Sequence, residues 1–298
     1  MKQIIVACLL MILLPMAGLT EENRGLQVSD DQSLGERPVD FYTGSHALLI
    51  GVSDYTDGWS DLPGVADDIP AVRQVLEQHG FEVEIVENPN YAQLDAAIRE
   101  FIQRHGEAAG NRLVFYFAGH GHTEQLSTDV EMGYIVPADT PNPVRDAAGF
   151  RANAMDMQMF ESYAKRIQAK HALFVFDSCF SGSIFDLSRS IPENITGKTR
   201  EPVRQFIASG SAGETVPDTS IFRRQFVAAL NGEGDTTGDG YVTGAELGEF
   251  LNATVVNYSK GTQHPQYGKI RDPRLDKGDV VFIMPEVMPA EKWQNDVH

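Results

Sequence analysis

From about residue 47 onward the chain alternates short, uninterrupted apolar runs with longer stretches in which apolar residues recur every three to four positions. Residues 47–52 read as a strand. Ile69, Val72, Val75 and Leu76 then share one helical face, and residues 81–86 read as a strand again. Asp67, Asp68 and Pro70 predict the cap and first turn of that helix, and Gly80 predicts its end. Asn90 and Gln93 have the spacing of a capping box, and Tyr91, Leu94, Ile98, Phe101 and Ile102 continue as an amphipathic stripe. Residues 113–117 and 172–176 are apolar throughout, the pattern of strands buried on both faces. Strands separated by helices of this length argue for parallel βαβ units with right-handed crossovers. The expected fold is therefore a three-layer α/β arrangement, a mostly parallel sheet flanked by helices. Further strands are predicted at 204–208 and 280–284.

Residues 1–20 are a different kind of sequence. Lys2 precedes an apolar run over 4–14 that breaks at Pro15 and is followed by Ala17 and Gly18, the pattern of a signal peptide. The run falls short of the roughly 20 residues that span a bilayer. No clean small-x-small cleavage site follows it, so an uncleaved N-terminal membrane anchor stays open beside secretion or export to a periplasm. Residues 21–40 are polar and aperiodic and read as a linker, which leaves 41–298 as the folded domain.

Composition narrows the partners. Hydrophobic residues make up 42% of the 298 and charged residues 22%, enough for a sizeable core. Acidic residues outnumber basic ones 42 to 24, for a net charge of −18, which repels nucleic acid and anionic surfaces and favours basic peptides or metal ions. The two cysteines are Cys8 and Cys179. Loss of a signal peptide would leave Cys179 alone: a buried small residue, an intermolecular link or a reactive nucleophile.

The two fully apolar strands end in chemistry. One runs into Ala118, Gly119, His120, Gly121 and His122, the other into Asp177, Ser178 and Cys179. In an open parallel sheet, reactive groups gather beyond the carboxyl ends of the strands. If these strands are neighbours, imidazole and thiol face one cleft. A thiol with an ordinary pKa of about 8.5 is a few per cent thiolate at neutral pH, so a partner that takes its proton and later protonates a leaving group suits acyl transfer. The Gly121 and Cys179 N–H groups are candidate oxyanion donors. His120 and His122 also form an H-x-H pair, but no third metal ligand follows at a recognisable spacing.

The segments FYFAGHG, with His120, and FVFDSCFSG, with Cys179, resemble the His and Cys motifs of the caspase and metacaspase peptidases, in their usual order. The resemblance covers about residues 47–284. It implies a caspase-like fold and a cysteine endopeptidase with Cys179 as nucleophile and His120 as general acid/base. It also implies substrates cut after Arg or Lys, because Asp177 and, through LPGVADD, Asp68 match the acids of the metacaspase basic pocket. The chain departs from the family pattern at Ala118, Val65 and Phe180. A self-cleaved loop is further implied, at Arg189, Lys198, Arg200 or Arg204, with an ordinary solvated loop as the equal alternative. A catalytically inactive caspase-fold module that binds partners in a calcium-dependent way is the second reading of the whole chain.

Near the C-terminus Asp235, Thr237, Asp239, Gly240, Tyr241, Thr243 and Glu246 occupy positions 1, 3, 5, 6, 7, 9 and 12 of an EF-hand-like loop. Asp235, Thr237, Asp239, the Tyr241 carbonyl and Glu246 would hold Ca²⁺, with Val242 facing the core, inside a helix–loop–helix segment at 221–258. No organic cofactor is expected.

Overall fold

The computed structural model describes residues 41–126, 131–179, 185–186, 197, 199–211, 213–214 and 218–284. The readings of a signal peptide and a linker fall outside them. The first half alternates as expected: β1 (Gly44–Gly51), α1 (Val65–Gln78), β2 (Glu82–Glu87), α2 (Tyr91–His105) and β3 (Asn111–Ala118). After them come β4 (Gly121–Gln125), β5 (Glu131–Ile135), α3 (Ala147–Asn153), β6 (Met155–Asp156), α4 (Met157–Arg166), β7 (His171–Cys179), β8 (Phe185–Asp186) and β9 (Val203–Gly210). The last part holds α5 (Ile221–Ala228), a π-helical turn (Ala229–Glu233), β10 (Tyr241–Thr243), α6 (Gly244–Tyr258), β11 (Gln266–Ile270) and β12 (Val281–Ile283).

Seven strands form the main sheet in the order β2-β1-β3-β7-β9-β11-β8. The first five run parallel, and β11 and β8 close the far edge antiparallel. All eight residues of β3 are buried, as its apolar run over 113–117 requires, and so are all eight of β9, the polar Arg204, Gln205 and Ser209 among them. One face packs Leu48, Phe115 and Phe174 against Leu94, Ile98 and Phe101 of α2 and Phe160 of α4. Along it Phe115, Phe174 and Phe206 stack at 4.6 and 4.9 Å between centroids. The other face packs Leu49, Tyr116 and Val175 against Ile69 and Val72 of α1, Phe222 and Phe226 of α5, and Leu247 and Leu251 of α6. The three layers are those the sequence pattern predicts. Among the described residues no helix is long and apolar enough to cross a membrane.

Three expectations need correction, and one strand takes its place outside the main sheet. Helix α1 starts at Val65, directly after Gly64, with no side-chain cap, so Asp67 and Asp68 lie in its first turn and Pro70 lies inside the helix. The strand predicted at 280–284 forms as β12 and pairs antiparallel with β10 in a separate two-stranded sheet. Cys179 is the last residue of β7, not a residue beyond it. Arg204 is not a processing site: it is 1% exposed on β9 and its guanidinium donates to the carbonyls of Ala164, Ile167, Lys170 and Val203. Arg200 is exposed, and Arg189 and Lys198 lie outside the described residues.

Candidate active site

Strands β3 and β7 are parallel neighbours, and their register sets Ala118 opposite Asp177. The Gly119 N–H then points to the Asp177 carbonyl at 3.5 Å, extending the pairing by one step. His120 lies two residues past Ala118 and Cys179 two residues past Asp177, so both come to the same carboxyl edge on strands that lie about 4.8 Å apart. Against β9 the register of β7 shifts between Phe176 and Cys179, after which Cys179 pairs with Gly210. Such an irregularity re-aims a strand end. Gly121, the other candidate oxyanion donor, opens β4 opposite Ile135.

His120 is held from the loop after β1. Its N–H donates to the Tyr55 hydroxyl at 2.7 Å, and its ring lies 4.7 Å from that of Tyr55 and 5.1 Å from that of Trp59. Gly119 has to be glycine here, because a Cβ would stand 2.8 Å from the Tyr55 hydroxyl oxygen and 2.9 Å from the Phe117 ring. His120 Nε2 is 2.8 Å from the Ser60 carbonyl oxygen. A carbonyl only accepts, so Nε2 carries the hydrogen and Nδ1 is the basic nitrogen. Burial pushes the His120 pKa below its ordinary value, and the Ser60 carbonyl opposes that in part. His122 packs edge-on against Phe150 at 5.0 Å. Among the described residues no three His, Cys, Asp or Glu side chains converge as a metal would require.

The two candidate pocket acids come together. Asp68 and Asp177 are 3% and 5% exposed, and the negative charge of Asp68 helps lift the Asp177 pKa. Asp177 Oδ2 accepts from Ser220 Oγ at 2.6 Å and from the Tyr116 hydroxyl at 3.2 Å. Its buried Oδ1 makes no hydrogen bond of ordinary geometry, and the Ser209 hydroxyl, which makes none either, lies close enough to Asp177 to pull its pKa down. Burial, only partly offset by those hydroxyls, pushes the Asp177 pKa up to about 7. Asp68 Oδ1 accepts from Arg223 Nε at 2.6 Å. Burial raises the Asp68 pKa, and the Arg223 guanidinium pulls against that shift.

Sequence reasoning missed Tyr55, Trp59, Ser60, Ser220 and Arg223. Only Ser220 left a signal: it precedes the Phe222 and Phe226 stripe, and it caps α5 by accepting the Arg223 N–H at 2.9 Å.

The segment at 221–258 folds as a helix, a loop and a helix. Asp235 accepts from the N–H groups of Gly238, Asp239 and Gly240, and Gly240 turns the chain at φ +85°. Val242 is fully buried, as expected. Thr243 and Glu246 form the capping box of α6, and Glu246 Oε1 also accepts from Thr237 Oγ1 at 3.0 Å. Positions 3 and 12 of the loop therefore face each other, whereas Asp235, Asp239 and Glu246 do not gather as a three-carboxylate cluster.

A family model described as the caspase domain matches residues 45–271. No curated protein matches the chain.

Proposed function

The chain belongs to the caspase-domain family, a family of cysteine peptidases, and on that premise we propose that it is an endopeptidase that cuts after Arg or Lys with Cys179 and His120 as its dyad. What carries the reading is the register of Ala118 opposite Asp177, which brings both residues to one end of adjacent strands.

In the proposed reaction His120 Nδ1 takes the Cys179 proton and the thiolate attacks the peptide carbonyl carbon. The N–H groups of Gly121 and Cys179 receive the oxyanion. The intermediate collapses as His120 returns the proton to the departing amine, leaving a thioester on Cys179. Water then gives its proton to Nδ1 and attacks the thioester, and the acid product leaves as His120 reprotonates the sulfur. The Ser60 carbonyl supports this cycle by holding Nε2–H, so that proton traffic runs through Nδ1. The depressed His120 pKa keeps the ring neutral near pH 7, ready to act as a base. Asp68 and Asp177 would receive the substrate cation, in keeping with the net charge of −18.

Calcium is proposed at the 235–246 loop. Asp235, Thr237, Asp239, the Tyr241 carbonyl and Glu246 would be the ligands, with oxygen donors suited to a hard cation. The facing of Thr237 and Glu246 supports it. The ion would replace that contact and stiffen the joint between α5 and α6. The apolar run at 4–14 supports export, with an N-terminal anchor as its uncleaved form.

The test is a panel of fluorogenic peptides with Arg, Lys or Asp before the cut bond, run beside Cys179→Ala. Hydrolysis of the Arg and Lys peptides that vanishes in the variant is the expected result. Preference for Asp, or activity that survives the substitution, contradicts it.

A further inference from the structure

The proposed acid pair is met from one short segment at the start of α5. Asp218 Oδ1 accepts the Gly64 N–H at 2.9 Å, and a Cβ on Gly64 would lie 2.2 Å from the Asp218 carbonyl oxygen, so the two backbones touch only because residue 64 is glycine. Ser220 donates to Asp177 and Arg223 to Asp68. The anchor is firm, because Phe222 and Phe226 of α5 are fully buried beneath the sheet. Both carboxylates thus already have a partner from α5, and the Arg223 side chain is 20% exposed against 4% for that of Asp68.

An arginine held on Asp68 changes what a substrate finds. With Asp68 neutralised and Asp177 Oδ2 taken by two hydroxyls, the buried oxygen left without a partner is Asp177 Oδ1. One acceptor oxygen suits an ammonium, a compact point charge. A guanidinium gains its advantage only when two acceptors engage its planar fork.

We infer that Arg223 is a specificity-determining residue: as an internal cation on Asp68 it leaves the substrate one carboxylate oxygen, so that lysine and arginine are accepted with similar efficiency. The inference rests on the proposed cleavage after basic residues and adds to it the residue that sets the choice between them. Removing the guanidinium frees Asp68 as a second acceptor, which a substrate arginine can bridge to Asp177 and a lysine cannot.

The experiment compares kcat/KM for two peptides that differ only by Arg or Lys before the cut bond. In the intact protein the Arg-to-Lys ratio should lie within about threefold of one. In Arg223→Ala it should rise about tenfold, the worth of one added charge-assisted contact, chiefly through a lower KM for the Arg peptide. Should Arg223→Ala not fold, Arg223→Met, which keeps a long unbranched stem and leaves Asp68 without a donor, is read the same way. The double variant Asp68→Asn, Arg223→Ala should return the ratio towards its starting value, an outcome that a merely structural role would not give. An active Arg223 variant with an unchanged ratio, or a strong Arg preference in the intact protein, overturns the inference and leaves the proposed function standing. A protein that cuts neither peptide overturns both.

Discussion

Ala118 and Asp177 stand opposite each other on adjacent parallel strands, and through that one pairing His120 and Cys179, 59 residues apart in sequence, end at the same edge of the sheet. The consequence for catalysis is additive in neither residue. Cys179→Ala should remove hydrolysis altogether, and His120→Ala should lower kcat by about 10²- to 10⁴-fold, the usual contribution of a positioned acid/base. In the proposed dyad each acts on the other, so the double variant should be no slower than Cys179→Ala, a comparison that initial rates on an Arg peptide will make.

The Tyr55 hydroxyl ties the His120 backbone to the loop after β1. Tyr55→Phe keeps the ring and leaves a sheltered N–H without its acceptor, at a cost of about 1–3 kcal/mol. Urea unfolding should report that loss. On the Arg peptide kcat should fall while KM stays nearly unchanged, because the acid pair is untouched.

Asp177 gives the pH dependence a definite sign. Its folded pKa of about 7 lies above the ordinary aspartate value of about 4, so between those values the folded state holds a proton that the unfolded chain has released. This contribution to stability is whole below about pH 4 and is lost as the pH rises through about 7. Asp177→Asn should flatten the decline in unfolding free energy over that window, measured against the intact protein in the same buffers. For activity the sign is opposite, since the ionised carboxylate is the form a substrate cation binds. The kcat/KM for Arg and Lys peptides should rise through about pH 7. The His120 limb should fall below its ordinary pKa, because burial lowers it.

Calcium binding at the 235–246 loop should register as stability before it registers as rate. With a dissociation constant of about 10⁻⁴ to 10⁻³ M, the range of extracellular modules, 10 mM free ion would add roughly 1.4–2.7 kcal/mol by mass action. Thermal melts with calcium and with EGTA measure it. Glu246→Gln should abolish the difference, and equal melting temperatures in the intact protein would remove calcium from the account.

Much of this architecture was legible because two fully apolar runs can only be strands covered on both faces, and because the motifs at their ends carry a thiol and an imidazole. The Asn90–Gln93 capping box was legible for a similar reason: its partners are three residues apart, and both of its bonds form. What escaped was what depends on distant segments or on backbone atoms. Strand β4, at GHTEQ, has no apolar alternation and is half-buried, so nothing in its composition marks it. The Ser60 carbonyl that orients His120 would be there with any side chain. Arg223 meets Asp68 across 155 positions of sequence, and an arginine in an amphipathic helix looks like a solvated one until the fold turns it inward. The start of α1 was misjudged because Asp67, Asp68 and Pro70 carry the marks of a helix beginning, while the stripe of Val65, Ile69, Val72 and Leu76 decides where the helix packs.

The central claim is that the Cys179 sulfur is activated by His120, and the most direct measurement is the rate at which an arginyl chloromethyl ketone alkylates Cys179, followed by mass spectrometry in the intact protein and in His120→Ala. The account predicts a stable adduct on Cys179, formed much faster than on a free thiol, and a return to the free-thiol rate when the imidazole is removed. Equal rates in the two proteins would contradict it.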